Sequence, residues 1–162
     1  MNGIYLTKRM ILVGLVVGWC IVIFSFSSQT SGESTTTSGG FISVICEFIV
    51  PEFSGFSGAE RAEFVEDLQF IVRKSAHFTA YAILGFLSWF ALYGIKNKRR
   101  FIFAVSFVLF YACTDEFHQH FVEGRSCELR DVLIDTGGGI VGALVALGLT
   151  ALYFKLRQTK KP

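Results

Sequence analysis

Residues 101–121 read FIFAVSFVLFYACTDEFHQHF: a run without a charge from Phe101 to Cys113 that then meets Thr114, Asp115 and Glu116. An α-helix rises about 1.5 Å per residue and a bilayer's hydrocarbon is about 30 Å thick, so a crossing needs about 20 residues. The uncharged run alone is too short. It spans only if its acidic end lies inside the membrane, and that choice decides the fold.

The rest of the chain is plainly apolar. Of its 162 residues 52% are hydrophobic and 17% charged, with a mean hydropathy of +0.52, against about 25% charge in a soluble domain. This excludes an ordinary cytosolic globule, a disordered chain and a nucleic-acid binder, and a net charge of +2 is too small to call for a polyanion. The reading is an all-α integral membrane protein, one membrane domain over residues 1–162. Its core is a four-helix transmembrane bundle with spans near 10–28, 75–95, 101–121 and 132–154. Lys8, Arg9 and the small residues Ser25 and Ser27 also fit a secretory signal peptide, but the apolar core is longer than a signal region, so an uncleaved anchor is expected.

Between spans one and two, the Ser/Thr/Gly run from Thr30 to Gly40 reads as a flexible loop. Phe41 to Val50 is too short to cross and ends at Pro51, so it reads as an interfacial or re-entrant helix. Arg61 to Arg73 reads as an amphipathic lead-in to span two, with Phe64, Leu68 and Ile71 at helical spacing.

Basic residues orient the chain. Lys8 and Arg9, then Lys96, Lys98, Arg99 and Arg100, then Lys155, Arg157, Lys160 and Lys161 share one side of a four-span chain. The positive-inside rule makes that side cytoplasmic. Both termini are then cytoplasmic, and residues 29–74 and 122–131 form the outer loops.

Depth groups the polar residues. Asp115 lies fifteen residues beyond Arg100, roughly 22 Å up, with Glu116 beside it and Gln119 and His120 one turn higher. On span two Tyr81, His77 and Lys74 lie at roughly 21, 27 and 31 Å and share one helical stripe. Asp135 and Asp131 open span four, and Gln29 closes span one. Every span thus sends polar groups to one layer at the outer interface. Lys74 or Tyr81 alone would be ordinary interfacial dressing, and His77 alone an ordinary hydrogen-bonding residue. Asp115 and Glu116 together, on a span with no apolar residues to spare, point inward to a polar pocket, with Arg125 and Arg130 supplying positive charge nearby.

Other signals are weaker. Gly138 and Gly142 make a small-xxx-small face suited to helix packing, or to a homodimer. Cys20, Cys46, Cys113 and Cys127 show no metal spacing; Cys46 and Cys127 both fall outside, which leaves a disulfide open. A divalent metal cofactor is left open too, since no fixed ligand spacing is present.

At this point the chain resembles the VanZ-like family of small bacterial membrane proteins, named for a teicoplanin-resistance accessory protein. The matching pieces are Phe26-Ser27-Ser28-Gln29, Lys74-Ser-Ala-His77-Phe78-x-x-Tyr81, Asp115-Glu116-Phe-His-Gln119-x-Phe121, Gly124-Arg125, Asp131-Val132 and Gly138. Glu123 stands where the family commonly has Pro, and Asp135 where it often has Asn. The resemblance implies a bacterial cell-envelope protein of the plasma membrane, in some members linked to reduced teicoplanin sensitivity. It carries no mechanism.

Three functions compete. The first is a hydrolase or transferase acting on a lipid headgroup or lipid-linked cell-wall precursor. Asp115 or Glu116 would be general base or metal ligand and His77 the acid–base partner. Lys74 and Arg125 would hold a phosphate or carboxylate, while Gln29, Tyr81, Gln119 and Asp131 complete the substrate-binding set. The second is a non-catalytic binder of lipid or glycopeptide, and the third a small transporter or flippase. Against the third, no polar path continues through Phe101 to Phe110.

Overall fold

The computed structural model describes residues 2–159, with side chains from Leu6 onward. Among these residues it is all helical: α1 (Asn2–Ser27), α2 (Ser31–Ile49), a 3-10 turn (Phe53–Gly55), α3 (Gly58–Ala91), α4 (Asn97–Gln119) and α5 (Leu129–Thr159). Three stretches are long and apolar enough to cross a membrane: Leu6–Ser27, Asn97–Gln119 and Leu129–Thr159. The exposed side chains of these helices, among them Ile11, Leu15, Phe103, Phe110, Leu144 and Leu149, would be untenable in water and point to a membrane protein. The helix that decides the fold is unbroken, carrying Thr114, Asp115 and Glu116 inside its 23 residues, about 35 Å of helix.

Two expectations need correction. The Ser/Thr/Gly run is no loop: it is the first half of the 19-residue α2, so the short helix expected over residues 41–50 is only its second half. Thr30 and Glu33 cap its start reciprocally, the Thr30 side chain accepting from the Glu33 N–H and the Glu33 carboxylate from the Thr30 N–H. These hydrogen bonds hold the Glu33 carboxyl below the usual carboxylate range. The second correction concerns span two, which is fused with its lead-in into the 34-residue α3, ends at Ala91 and is not one of the three strongly apolar stretches.

Cross-helix pairs fix the directions. The Tyr111 hydroxyl donates to the Cys20 carbonyl at 2.6 Å and Gln119 Nε2 to Ser27 Oγ at 2.8 Å, so α1 and α4 run the same way. Phe78 meets Gly138 and Trp89 Nε1 donates to Thr150 Oγ1, so α3 and α5 run together. Tyr81 pairs with Asp115, and Arg100 donates to the Trp89 carbonyl, which sets α3 against α4. The start of α1, the α3–α4 link and the end of α5 therefore lie at one end. The motif residues lie at the other, beside a helical hairpin in which α2 packs back on the first half of α3 through Ile42, Cys46, Phe53 and Val65.

Residues of α3 join the main core, where Tyr81 and Leu84 pack with Val16, Ile23, Val108, Ala112 and Val132. Its contact with α5 is made of backbone. A Cβ at Gly142 would lie 1.8 Å from the Ala82 carbonyl oxygen, one at Gly138 2.2 Å from that of Phe78, and one at Gly85 2.1 Å from that of Gly139. The small-residue face of Gly138 and Gly142 is thus covered by α3 of the same chain, and a second copy reaches it only by displacing that helix. All four cysteines are free.

Gly142→Ala must push α3 and α5 apart, and overpacking of this kind destabilises by about 1–3 kcal/mol. Gly14→Ala, with nothing within 4 Å of the added methyl, is expected to be neutral or to stabilise by up to about 1 kcal/mol. Thermal unfolding of both variants in detergent micelles separates the two outcomes.

Candidate functional site

One face of α4 is buried along its whole length, and its composition changes on the way. After Arg100 come Ala104, Val108 and Ala112, then Asp115, Glu116 and Gln119. The apolar part packs in the core, so the acidic part is carried in on the same stripe. Asp115 is 3% exposed and Glu116 2%; the protein, rather than lipid, surrounds them.

Their partners come from every neighbouring element. Tyr81 Oη donates to Asp115 Oδ2 at 3.1 Å, and Gln119 Nε2 approaches the same oxygen at 3.4 Å. Gln119 also accepts from Arg125 Nη1 at 3.2 Å through its Oε1. Arg125 Nε donates to the Gln29 backbone carbonyl at 3.0 Å, so α1, α4 and the following loop close on one another. Lys74 forms an ion pair with Asp131. His77 Nδ1 lies 3.7 Å from Asp135 Oδ2.

Glu116 faces differently from Asp115. Its Oε2 accepts the Glu128 N–H at 3.0 Å, bracing the loop that leads into α5. That loop also docks on α2: Ser31 N–H donates to the Glu123 carbonyl at 3.2 Å. Gly124 adopts a φ of +72°, and a Cβ there would meet Ser31 Cβ at 2.9 Å. Glycine is required on both counts. His120, expected one turn above Glu116 in the polar layer, is exposed.

Two cavities adjoin at this end. One of about 130 Å³ is polar and includes Lys74, Gln119, Glu128 and Asp131 in its lining. The other, about 400 Å³, is walled by Trp19, Val22, Ile23, Phe26 and Phe41, with Ser34, Thr37 and Ser38 of α2. Arg73, His77 and Arg125 line both. Arg73 has no hydrogen bond or ion pair among the described residues. Burial, and then repulsion from Arg73, push Arg125 below the ordinary arginine range. Two guanidiniums crowded at one cavity edge, one of them unpaired, make a place for an anion.

The structure thus gathers Lys74, His77, Gln119, Arg125 and Asp131 on one cavity wall, seats Gln29 and Tyr81 beside it and turns Glu116 toward the loop. Sequence reasoning left out Arg73, taken only as the end of a lead-in, and Ser27, the partner of Gln119. Asp135, read from the sequence as a charge in the pocket, has no role assigned by it. His77, Asp115 and Asp135 each offer a ligand atom within 4.8 Å of the others, a set able to hold a metal.

The brace gives a test. Glu116→Ala leaves the Glu128 N–H without its acceptor, and hydrogen exchange measured in detergent is expected to rise across residues 121–128 while α1 stays protected. Glu116→Gln keeps an accepting oxygen and is expected to retain most of that protection.

The sequence model of the VanZ/LLP1 family matches residues 12–152. No curated protein and no solved structure matches the chain. A match over α2, α3 and α4 in full, most of α1 and α5, and the loop that carries Gly124 and Arg125 leaves one assignment: this chain is a member of the VanZ/LLP1 family.

Proposed function

We propose that this protein is a four-span protein of the bacterial plasma membrane that acts, as hydrolase or transferase, on an anionic lipid headgroup or lipid-linked cell-wall precursor. Span two, which completes the four, is the second half of α3. A helix enclosed by α1, α4 and α5 need not be apolar all round, which accounts for Lys74, His77 and Tyr81 on it. Three clusters of basic residues at one end then put both termini in the cytoplasm and open the cavities outward. The α2 hairpin lies at the outer interface, where Phe41, Val44, Phe48 and Ile49 are exposed on it.

One observation carries the substrate class: a polar cavity and a larger apolar one share Arg73, His77 and Arg125 at their boundary. An amphiphile fits such a boundary, with its anionic group on the guanidiniums and its chains along Trp19, Ile23 and Phe26. Asp115, held by Tyr81 and Gln119, and His77, at the edge of both cavities, are the groups available for proton transfer. An effect on teicoplanin sensitivity would follow if the amphiphile is a cell-wall precursor.

Two experiments test this. Cys127, exposed in the loop after α4, is expected to react with a membrane-impermeant maleimide in intact cells. In a Cys127→Ser background, Lys98→Cys is expected to react only after permeabilisation; the reverse pattern overturns the orientation. The function is tested by profiling lipids and cell-wall precursors in cells expressing wild type, Asp115→Asn or Arg73→Gln at matched protein level. A species that appears or vanishes only with the wild type is expected, and any change in teicoplanin sensitivity should follow it. Identical profiles for all three, alongside a wild-type phenotype, would replace catalysis by binding.

A further inference from the structure

We infer that His77, Asp115 and Asp135 form a binding site for one divalent first-row metal ion, of the manganese or zinc class. The inference does not depend on the lipid reading, because the site is defined by three side chains and not by a substrate; with an ion bound, His77 and Asp115 would serve as its ligands and not as free proton-transfer groups.

The first observation is convergence. The ligating atoms come from three helices, α3, α4 and α5, yet all lie within 4.8 Å of one another. Metal–ligand bonds of about 2.0–2.2 Å separate neighbouring ligands by about 3–4 Å. His77 Nδ1 and Asp135 Oδ2 already stand 3.7 Å apart, and side-chain rotation of about an ångström closes the rest.

The second observation is unpartnered oxygen. Asp135 is 1% exposed, and neither of its carboxylate oxygens has a hydrogen-bond partner, Oδ2 having only His77 Nδ1 at 3.7 Å; Asp115 is 3% exposed, and its Oδ1 has none. Buried polar atoms in folded proteins are nearly always paired, and a buried carboxylate without compensation is strongly unfavourable. Here three such oxygens lie in one cluster. Asp115 Oδ2, by contrast, is held by Tyr81 and approached by Gln119. That is how outer hydrogen bonds orient a ligating carboxylate, one oxygen fixed and the other free to bind.

The third is charge. Three nearby cations are engaged elsewhere, Lys74 with Asp131, Arg125 with Gln29 and Gln119, Arg130 with Glu128, and the unpaired Arg73 lines the cavities. His77 alone faces Asp135. One imidazole cannot balance two carboxylates, whereas a divalent ion can. One nitrogen and two carboxylate oxygens suit manganese, iron or zinc better than calcium or magnesium, which prefer all-oxygen shells. Three protein ligands also leave further coordination positions, and His77 connects the set to the wall of both cavities.

The test uses the full chain, tag removed, purified in detergent, stripped with EDTA and reloaded with Mn²⁺ or Zn²⁺. Metal analysis after desalting is expected to find about one ion per chain, and Mn²⁺ bound to it should give a protein-dependent electron paramagnetic resonance spectrum. Asp135→Asn and His77→Gln are expected to weaken binding at least about tenfold, and Tyr81→Phe about tenfold through the orientation of Asp115. Glu116→Gln, outside the trio, should bind like wild type. If the ligand variants do not fold, the wild type still decides. Its Tm is expected to rise by several degrees on Mn²⁺ or Zn²⁺ addition and return with EDTA. Absence of stoichiometric metal on the wild type, or equal binding by Asp135→Asn and His77→Gln, overturns the site. An unchanged lipid profile in cells, with metal bound, would overturn the proposed reaction and leave this site standing.

Discussion

How near α3 and α5 can come controls what happens at the polar end of the molecule. Two helices with ordinary side chains between them pack with axes 8–10 Å apart; here Gly85, Gly138 and Gly142 remove the side chains and the backbones touch, while the Cβ that Gly139 lacks would meet Val108 of α4. Gly138 lies against the residue after His77 and Gly142 against the residue after Tyr81. The contact is therefore also a register. It sets His77 opposite Asp135, and with α4 packed on the same pair it brings Tyr81 onto Asp115. A methyl group in this seam would both loosen the bundle and pull apart side chains that meet only because the backbones do.

Charge at this end is sorted by position. Arg73, Lys74 and Arg125 line the polar cavity with Glu128 and Asp131, while Asp115, Glu116 and Asp135 are buried among the helices. Each buried acid is treated differently. Glu116 is matched to a backbone amide and serves the loop; Asp115 is matched on one oxygen; Asp135 is left without a hydrogen bond. In a site far from water such differences decide what each group can do, because solvent does not average them. The gradient runs from structural brace to open ligand across a few ångströms.

Much of this was readable in the sequence, and what was missed has identifiable causes. Depth counting put Asp115, Gln119, His77 and Tyr81 in one layer because helical rise is constant. Composition misled at residues 30–40, where Ser, Thr and Gly suggested a loop. The Thr30-x-x-Glu33 capping box was the countersignal, and Gly39 is small because Gln69 lies 3.1 Å from where its Cβ would be. Asp135 belongs to the pocket as a charge but gains no role from the sequence, since depth does not say which side chain it meets. No ligand spacing exists to be found when the three residues of the trio sit on three helices. Arg73 escapes notice because the helical spacing of Phe64, Leu68 and Ile71 marks an amphipathic lead-in that ends at it, whereas the helix continues unbroken through it.

The apparent shortfall of residues 101–121 is resolved by the same geometry that builds the site. Counting a crossing by consecutive apolar residues assumes that every face of the helix meets lipid. In α4 one face is the buried stripe ending in Asp115, Glu116 and Gln119, and the other carries Ile102, Phe103, Phe110 and Phe117, with Phe121 following in the turn beyond the helix, all well exposed. Phe117 and Phe121 stack edge-to-face one turn apart, past the point where the uncharged run stops. The apolar exterior therefore continues on one side while the acids turn to the other, and the helix presents a full-length surface to hydrocarbon. A strictly apolar run long enough to cross would have had no place for the polar end, so the short run and the site are one property of this helix.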